Sequence, residues 1–175
     1  MIRQCHTEDV ERIYFIINQA ATAYQGVIPA DCYHEPYMSR EELTGEMKRV
    51  TFLGWETNGE LAGVMGMEPV RDVTLIRHAY VLPQWQRQGI GSKLLSQVKR
   101  QANTRRLLVG TWADAWWAIA FYRKHGFRLL PDKDKLLSTY WDIPQRQIET
   151  SVVMGIATDI TQGGGHEQEM VQQNC

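Results

Sequence analysis

The chain has 175 residues, 43% hydrophobic and 22% charged, which is the composition of one globular domain and excludes disordered, collagen-like and coiled-coil proteins. Its formal net charge is −1, yet seven basic residues and no acidic residue lie between Val73 and Ala113, so this stretch carries +7 and the remainder −8. Like charges gathered on one segment raise the local potential, so this stretch favours an anionic partner.

The cysteine pattern and the N-terminus exclude several other classes. Cys5, Cys32 and Cys175 are too scattered for a disulfide framework or a zinc site. Cys32 could act as a nucleophile with His34, but so local a pair favours a plain structural cysteine. The N-terminus has no apolar signal core, and no apolar run approaches the roughly 20 residues that span a bilayer. We therefore expect a cytoplasmic protein without a metal site or a membrane segment.

Apolar spacing and turn signals predict the elements in chain order. An amphipathic helix is expected over residues 7–24, followed by a loop at 25–38 and a short helix from Ser39 to about Arg49. The Asn58-Gly59 pair predicts a hairpin turn between two strands. The other predicted elements are strands at Thr51–Glu56, Leu61–Glu68, Val73–Leu82, Leu107–Trp112, Phe127–Leu130 and Ile148–Ile156, helices at Ile90–Asn103 and Ala115–His125, and helical turns at Lys133–Trp141.

The order of these elements indicates one mixed α/β domain of the α+β type. It consists of a strand, two helices, three strands, and then helix and strand in alternation, which combines antiparallel and parallel pairing. Residues 1–156 are expected to form this domain, and residues 157–175 a disordered tail because they are poor in apolar side chains. The strand Ile148–Ile156, if it lies at a sheet edge, would permit a homodimer.

A glycine-bearing loop joins the predicted strand Val73–Leu82 to the following helix. Its sequence is Gln86-Arg87-Gln88-Gly89-Ile90-Gly91-Ser92. Glycines let the backbone approach a ligand closely, and the helix adds its positive N-terminal end, so the turn suits a diphosphate. It is not a P-loop because no Gly-Lys-Ser/Thr follows, and it lacks the third glycine of a dinucleotide-binding fingerprint.

Two ordered motifs resemble those of the GNAT acetyltransferases. The first is Tyr80-Val81-Leu82-Pro83 with the glycine loop and Leu94-Leu95, similar to the family's Val-x-Pro strand end and Gln/Arg-x-x-Gly-x-Gly/Ala turn. The second, Ala118-Ile119-Ala120-Phe121-Tyr122-Arg123-Lys124-His125-Gly126-Phe127, is similar to the family's Ala-x-x-Phe-Tyr-x-x-x-Gly-Phe. The resemblance covers roughly residues 1–156. It implies a GNAT-like fold with a mixed sheet of about 6–7 strands, splayed between the fourth and fifth strands, and helices on both faces.

The resemblance implies acetyl transfer from acetyl-CoA to a primary amine of a small molecule or peptide, by direct attack and without a metal. Backbone N–H groups would hold the diphosphate, and the pantetheine arm would pair with the strand, where an N–H could also stabilise the oxyanion. The implied cofactor-binding residues are Tyr80, Val81, Gln86, Arg87, Gln88, Gly89, Ile90, Gly91, Ser92, Ala118 and Tyr122. The alternative is an acyl-CoA-binding module without turnover. Nucleic-acid binding is disfavoured, because the basic helix supplies charge without interleaved aromatic residues.

Acetyl transfer needs two proton transfers, because the ammonium must lose a proton and the leaving thiolate must gain one. Tyr122 occupies the family's usual thiolate-protonating position, with a purely packing role as the alternative. The family often places its base on the fourth strand, at positions that correspond here to Leu75 and Arg77. His78 is the neighbouring candidate, but strand alternation turns it to the opposite face unless a bulge intervenes. Other candidates are Glu68, Asp72, Asp114 and a route through water.

The resemblance implies that the acceptor enters from the loop and short helix at residues 25–49, which in the family cover the substrate side. Acidic side chains there, at Asp31, Glu35, Glu41, Glu42 and Glu46, would favour a cationic amine or lie simply on a solvated helix face. Ala115 stands where the family frequently has Asn, which removes one expected hydrogen bond. The nearby Trp112, Trp116 and Trp117 could be core aromatics or the wall of an acceptor slot. A polyamine, an aminoglycoside, an amino acid and a peptide amine all remain open.

Overall fold

A computed structural model describes residues 1–160, which form one seven-stranded sheet with helices on both faces. The strands are β1 (Ile2–Gln4), β2 (Thr51–Thr57), β3 (Glu60–Val70), β4 (Val73–Val81), β5 (Arg106–Trp112), β6 (Arg128–Leu129) and β7 (Ser151–Ala157). The helices are α1 (Val10–Ala21), α2 (Arg40–Glu46), α3 (Ile90–Gln101), α4 (Trp116–Lys124), α5 (Lys133–Tyr140) and α6 (Gln145–Glu149). The strand order is β1-β2-β3-β4-β5-β7-β6. β4 and β5 pair in parallel and the other neighbours pair antiparallel, which confirms the predicted mixed sheet.

Local signals account for the N-terminal half. Asn58 and Gly59 both have positive φ, 51° and 77°, as the predicted hairpin turn requires. Helical turns extend over residues 7–24, as the apolar spacing predicts. Ser39 caps α2, because its hydroxyl oxygen accepts a hydrogen bond from the Glu42 N–H at 3.1 Å.

Different helices cover the two faces of the sheet. On one face, α3 and α4 bury Leu94, Leu95, Val98 and Tyr122 against the central strands. On the other face, α1 and α2 cover the β2–β4 half with Ile13, Ile16, Ile17 and Leu43. Beside them, α5 and α6 cover the β5–β7 half with Leu137 and Ile148. On this second face, α1 and α2 therefore lie on one side of the β4–β5 boundary, and α5 and α6 lie on the other.

The C-terminal part differs from the prediction. Ile148 lies in α6 rather than in a strand, because its N–H donates to the Pro144 carbonyl at 3.2 Å, and β7 begins only at Ser151. The strand also lies between β5 and β6, with Met154 and Gly155 paired to β6, and not at the edge of the sheet. The prediction that this strand forms a sheet edge available for a homodimer is therefore wrong.

The predicted tail begins slightly too early. Ala157 still pairs with β5 as the last residue of β7. The rest of the predicted tail from residue 161 onward lies outside the described residues. Within residues 1–160, no helix is long and apolar enough to cross a bilayer.

Candidate functional site

The separation of β4 from β5 opens a cleft in the middle of the sheet. Their parallel register ends at Ile76 opposite Val109, although β4 continues to Val81 and β5 to Trp112. A cavity of about 310 Å³ lies at this opening, between β4 and α2 on one side and β5 and the α5–α6 region on the other. The splay between the fourth and fifth strands is therefore confirmed, and it places a small-molecule-sized cleft there.

A β-bulge in β4 determines where His78 points. Met65 of β3 faces two residues of β4, His78 and Ala79, so the register shifts there. His78 has a φ of 50°, in the left-handed region, which breaks the alternation of the strand. As a result Arg77 and His78 both reach Glu46 on α2. The placement of His78 on the opposite face, which simple alternation predicts, is therefore wrong.

Glu46 belongs to a charge cluster that joins α2 to the sheet, formed by Glu46, Arg49, Glu68, Arg77 and His78. Arg77 donates to Glu46 at 2.9 Å and to Glu68 at 2.7 Å. Arg49 donates to Glu68 at 3.0 Å and also contacts Glu46. The two carboxylates are only 7% and 8% exposed, and two guanidinium groups balance them, as burial of charge requires.

The cluster fixes the protonation of His78. Burial lowers the pKa of His78 below its ordinary value, the hydrogen bond to Glu46 opposes this, and the Arg77 charge lowers it further. Burial alone would raise the pKa of Glu46, but His78, Arg77 and Arg49 together lower it to about 2. Near neutral pH the pair is therefore a carboxylate and a neutral imidazole.

The same pair defines which ring nitrogen of His78 is available. Nε2 lies 2.8 Å from Glu46 Oε2, and because the carboxylate is ionised, Nε2 carries the proton and donates it. Nδ1 has no hydrogen-bond partner among residues 1–160, and it keeps some accessibility to solvent. His78 lines the cleft, so the structure provides an unprotonated nitrogen that can accept a proton there.

Tyr122 lies on α4, on the face of the sheet opposite α2, and it is not among the residues that line the cleft. It is 4% exposed and packs against Phe121 and Phe127, with ring centroids 5.1 Å and 5.3 Å away. Burial raises the pKa of Tyr122, and the nearby Tyr24 acts in the same direction. Its hydroxyl has no hydrogen-bond partner in the described part of the chain, yet it is not sealed from solvent. Tyr122 therefore presents a protonated hydroxyl that can donate.

The loop between β4 and α3 leaves a run of backbone donors unused. The Gln86 N–H donates to the Pro83 carbonyl at 3.3 Å, and the Lys93 N–H to the Gly89 carbonyl at 3.0 Å. Between them, the six N–H groups from Arg87 to Ser92 have no acceptor in residues 1–160. Gly89 precedes α3 with a φ of 80°, so the loop turns directly into a helix N-terminus, which is an anion-binding arrangement.

The edge of β4 that faces β5 is unpaired beyond Ile76 in the described residues. The Leu82 N–H donates to Ala62 of β3 at 2.9 Å, so the N–H and C=O of Val81, one residue earlier, point to the opposite, open edge. Gln86 Nε2 donates to the Val81 carbonyl at 3.0 Å. An extended ligand could thus pair with this edge beside Gln86.

The other predicted cofactor residues surround the same loop. Arg87 and Gln88 are exposed, and Gln88 donates to the Gln84 carbonyl at 3.3 Å. The Ser92 hydroxyl is engaged with His125 Nε2 at 2.9 Å, which leaves the Ser92 N–H as its unused donor. The remaining members are Ile90 and Gly91 in the first turn of α3, half-buried Ala118 on α4, and Tyr80, whose ring lines the cleft.

The remaining candidates for the base do not present a free carboxylate to the cleft. Leu75 is fully buried in the core, and Glu68 is bound by two arginines. Asp72 accepts a hydrogen bond from Tyr140 at 2.7 Å at the far end of β4, and Asp114 does not line the cleft. Within residues 1–160, no group of three or more His, Cys, Asp or Glu side chains is placed to hold a metal ion.

An aromatic cluster lines the acceptor side of the cleft. The Tyr37 ring lies 5.2 Å from Tyr24, and its hydroxyl accepts a hydrogen bond from Trp112 Nε1 at 2.8 Å. Trp117 stacks on Tyr24 at 5.9 Å, whereas Trp116 is 71% exposed. The three tryptophans therefore have separate places. Trp112 lines the cleft, Trp117 supports it and Trp116 faces solvent.

Comparisons with known proteins agree with this geometry. Residues 48–129 match a family model described as the acetyltransferase (GNAT) domain. The fold is similar to the ribosomal-protein-S18-alanine N-acetyltransferase from Escherichia coli, with a TM-score of 0.68 and 19% identity, covering 95% of this chain and 97% of that one. A GNAT acetyltransferase from Staphylococcus aureus gives a TM-score of 0.70 at 17% identity, covering 90% and 98%. The PaiA N-acetyltransferase from Thermoplasma acidophilum, in complex with coenzyme A, gives 0.68 at 17% identity, covering 90% and 98%. No curated protein sequence matches the chain significantly.

Proposed function

Because the chain contains a domain of the GNAT acetyltransferase family, we propose that it transfers the acetyl group of acetyl-CoA to a primary amine by direct attack. The observation that carries this proposal is the arrangement at the β4–β5 opening. His78 offers an unprotonated ring nitrogen in the cleft, Tyr122 on α4 offers a protonated hydroxyl, and the loop that follows β4 offers a run of unused backbone N–H groups. When bound, acetyl-CoA supplies an activated thioester carbonyl.

The residues present fit such a molecule. The N–H groups from Arg87 to Ser92 would hold the diphosphate, with the positive end of α3 behind them. The open edge of β4 at Val81 would pair with the pantetheine arm, with Gln86 and Ala118 beside it, whereas Tyr80 pairs with Val64 of β3 and would contribute only its ring. An N–H at this edge would also donate to the oxyanion that develops during the transfer.

Two side chains would move the protons. His78 would take a proton from the attacking ammonium at Nδ1, while Glu46 holds the opposite nitrogen and stabilises the imidazolium that forms. Tyr122 would give its hydroxyl proton to the leaving thiolate, for which burial keeps it protonated. Glu46 therefore positions the base and is not itself a catalytic residue.

Replacing Gly89 by alanine is expected to raise the Kd for coenzyme A about 10-fold, because a Cβ at positive φ strains the loop that presents the N–H groups. Gly59→Ala is the matched control, since Gly59 has a φ of 77° in the β2–β3 turn and likewise has no neighbour within 4 Å of an added Cβ. Isothermal titration calorimetry of both variants gives the comparison. Equal Kd values for Gly89→Ala and the wild type would count against a diphosphate site in this loop.

Replacing Tyr122 by phenylalanine is expected to lower kcat roughly 100-fold, because the ring packing is kept and only the proton donor is lost. Steady-state release of coenzyme A thiol measures the effect. Tyr140→Phe removes a tyrosine hydroxyl that bonds to Asp72 away from the cleft, and it should leave kcat unchanged. An unchanged kcat in Tyr122→Phe would assign this residue to packing alone.

The proposed activity itself is tested by incubating the protein with acetyl-CoA and a panel of primary amines. The panel should contain polyamines, amino acids, arylalkylamines and peptides with free N-termini. We expect amine-dependent thiol release with at least one of them. Tight binding of acetyl-CoA without thiol release for any amine would instead make the protein a binding module.

A further inference from the structure

Resting on the proposed acetyl transfer, we propose that its acceptor is an arylalkylamine, a protonated primary amine that a short alkyl arm joins to an aromatic ring and that lacks a carboxylate. The inference concerns the cleft between β4 and α2 on one side and β5 and the α5–α6 region on the other. It depends on the rings that line this cleft, on the charges that face it, and on its size.

Aromatic rings from five separate segments line the cleft. Tyr37 and Tyr24 lie 5.2 Å apart, Tyr24 and Tyr80 lie 6.4 Å apart in an edge-on arrangement, and Trp112 donates to the Tyr37 hydroxyl. Trp141 completes the lining from the side of α5. Aromatic walls favour offset and edge-on contacts with another ring, so an aromatic acceptor would gain more here than an aliphatic chain of the same volume.

The charges at the cleft favour an ammonium group and disfavour a carboxylate. Glu42 and Asp142 line the cleft and form no ion pair in the described part of the chain. The guanidinium that lines it, Arg77, is already bound by Glu46 and Glu68. A carboxylate on the acceptor would therefore meet two unpaired negative charges and no available arginine or lysine, whereas an ammonium would be attracted.

The size of the cleft fits one small acceptor. Its volume of about 310 Å³ is at the lower end for small-molecule sites, and the His78 nitrogen and the aromatic rings share it. A ring on a short alkyl arm would place its amine at His78 and its ring among the tyrosines. A polyamine would leave the aromatic wall without a ring to contact. Its additional ammonium groups would reach only the exposed Glu42 and Asp142, whose attraction salt screens.

The test compares kcat/KM for tyramine, tyrosine, spermidine and a short peptide with a free N-terminus, using acetyl-CoA as the donor. Tyramine and tyrosine differ only in the carboxylate, and we expect tyramine to be favoured roughly 10-fold, because the exposed charges of Glu42 and Asp142 repel a carboxylate only weakly once salt screens them. We also expect it to exceed spermidine and the peptide at least about 10-fold. A kcat/KM for spermidine, the peptide or tyrosine equal to or above that for tyramine overturns the inference but leaves the acetyl transfer standing. Thiol release with none of the acceptors overturns both.

A charge reversal at the cleft supplies a second test. Asp142→Arg places a cation beside the acceptor, so the preference for tyramine over tyrosine should fall about 10-fold. Asp134→Arg is the matched control, because Asp134 is exposed on α5 and does not line the cleft, and it should keep the wild-type ratio. An unchanged ratio in Asp142→Arg would show that these charges do not select the acceptor.

Discussion

Replacing His78 by alanine is expected to lower kcat/KM for acetyl transfer by roughly 10²- to 10⁴-fold, the contribution of one positioned general base. The structure leaves Nδ1 of this ring without a partner in residues 1–160 while Glu46 holds Nε2 at 2.8 Å. Steady-state thiol release measures the loss. Because the ring also stacks on Phe52 at 5.8 Å, thermal unfolding of the variant should be recorded to show that it is folded.

The pH dependence distinguishes a base from a merely structural histidine. Burial lowers the pKa of His78 below its ordinary value, so kcat/KM of the wild type should fall only at a pH below the one at which an ordinary histidine titrates, where the ring becomes protonated. His78→Ala should lack this acidic limb. His34 is another histidine that lines the cleft, but its ring bonds to the Pro36 carbonyl and not to a carboxylate. His34→Ala should therefore keep the acidic limb of kcat/KM, even if KM itself changes. An acidic limb that persists in His78→Ala would assign the base elsewhere.

Replacing Glu46 by glutamine is expected to reduce the free energy of unfolding by about 3–5 kcal/mol, because Arg49 and Arg77 lose a buried carboxylate. Urea unfolding at neutral pH measures this. The pKa of Glu46 is lowered in the folded state, so its stabilisation is fully present above its unfolded pKa of about 4.5 and is lost as the pH falls toward about 2. The stability difference between wild type and variant should therefore shrink over that acidic range.

The control for this substitution lies on the same helix. Glu41 is exposed, forms no ion pair among the described residues, and does not line the cleft, so Glu41→Gln should change stability by no more than about 0.5 kcal/mol. Glu46→Gln should also shift the acidic limb of kcat/KM to lower pH, because the hydrogen bond from His78 to a charged partner raises the pKa of the histidine. A variant as stable as the wild type, or a limb that does not move, would contradict the role given to Glu46.

Elements governed by local signals could be predicted from the sequence. The Asn58-Gly59 turn, the capped helix after Ser39 and the glycine loop before α3 depend on residues close together in the chain, and all three occur where the sequence places them. The two motifs that resemble GNAT proteins are also local, and the family match covers residues 48–129. The sequence does not predict α6, because Ile148 fits the apolar pattern of the strand that follows. In the structure the helix begins after Pro144, and the Ile148 N–H donates to the Pro144 carbonyl.

The charge cluster could not be predicted, because it depends on contacts between distant residues. Glu46 and His78 are 32 positions apart, and they meet only because the bulge in β4 gives His78 a positive φ. No local pattern marks a histidine for that conformation. Alternation alone places Arg77 and His78 on opposite faces. The acidic character of residues 25–49 was the one available signal for Glu46, and it did not indicate which acid is buried.

The most direct measurement of the central claim uses acetyl-CoA labelled in its acetyl group, with tyramine as the first amine and the other acceptors after it. Label in the protein and in the amine is followed separately by mass spectrometry. We predict one acetylated amine for each coenzyme A thiol released, and no labelled protein when the amine is omitted, because the amine attacks directly. Acetyl-CoA that binds but passes its label to none of the amines would contradict the account, and a stable acetylated protein would contradict direct attack.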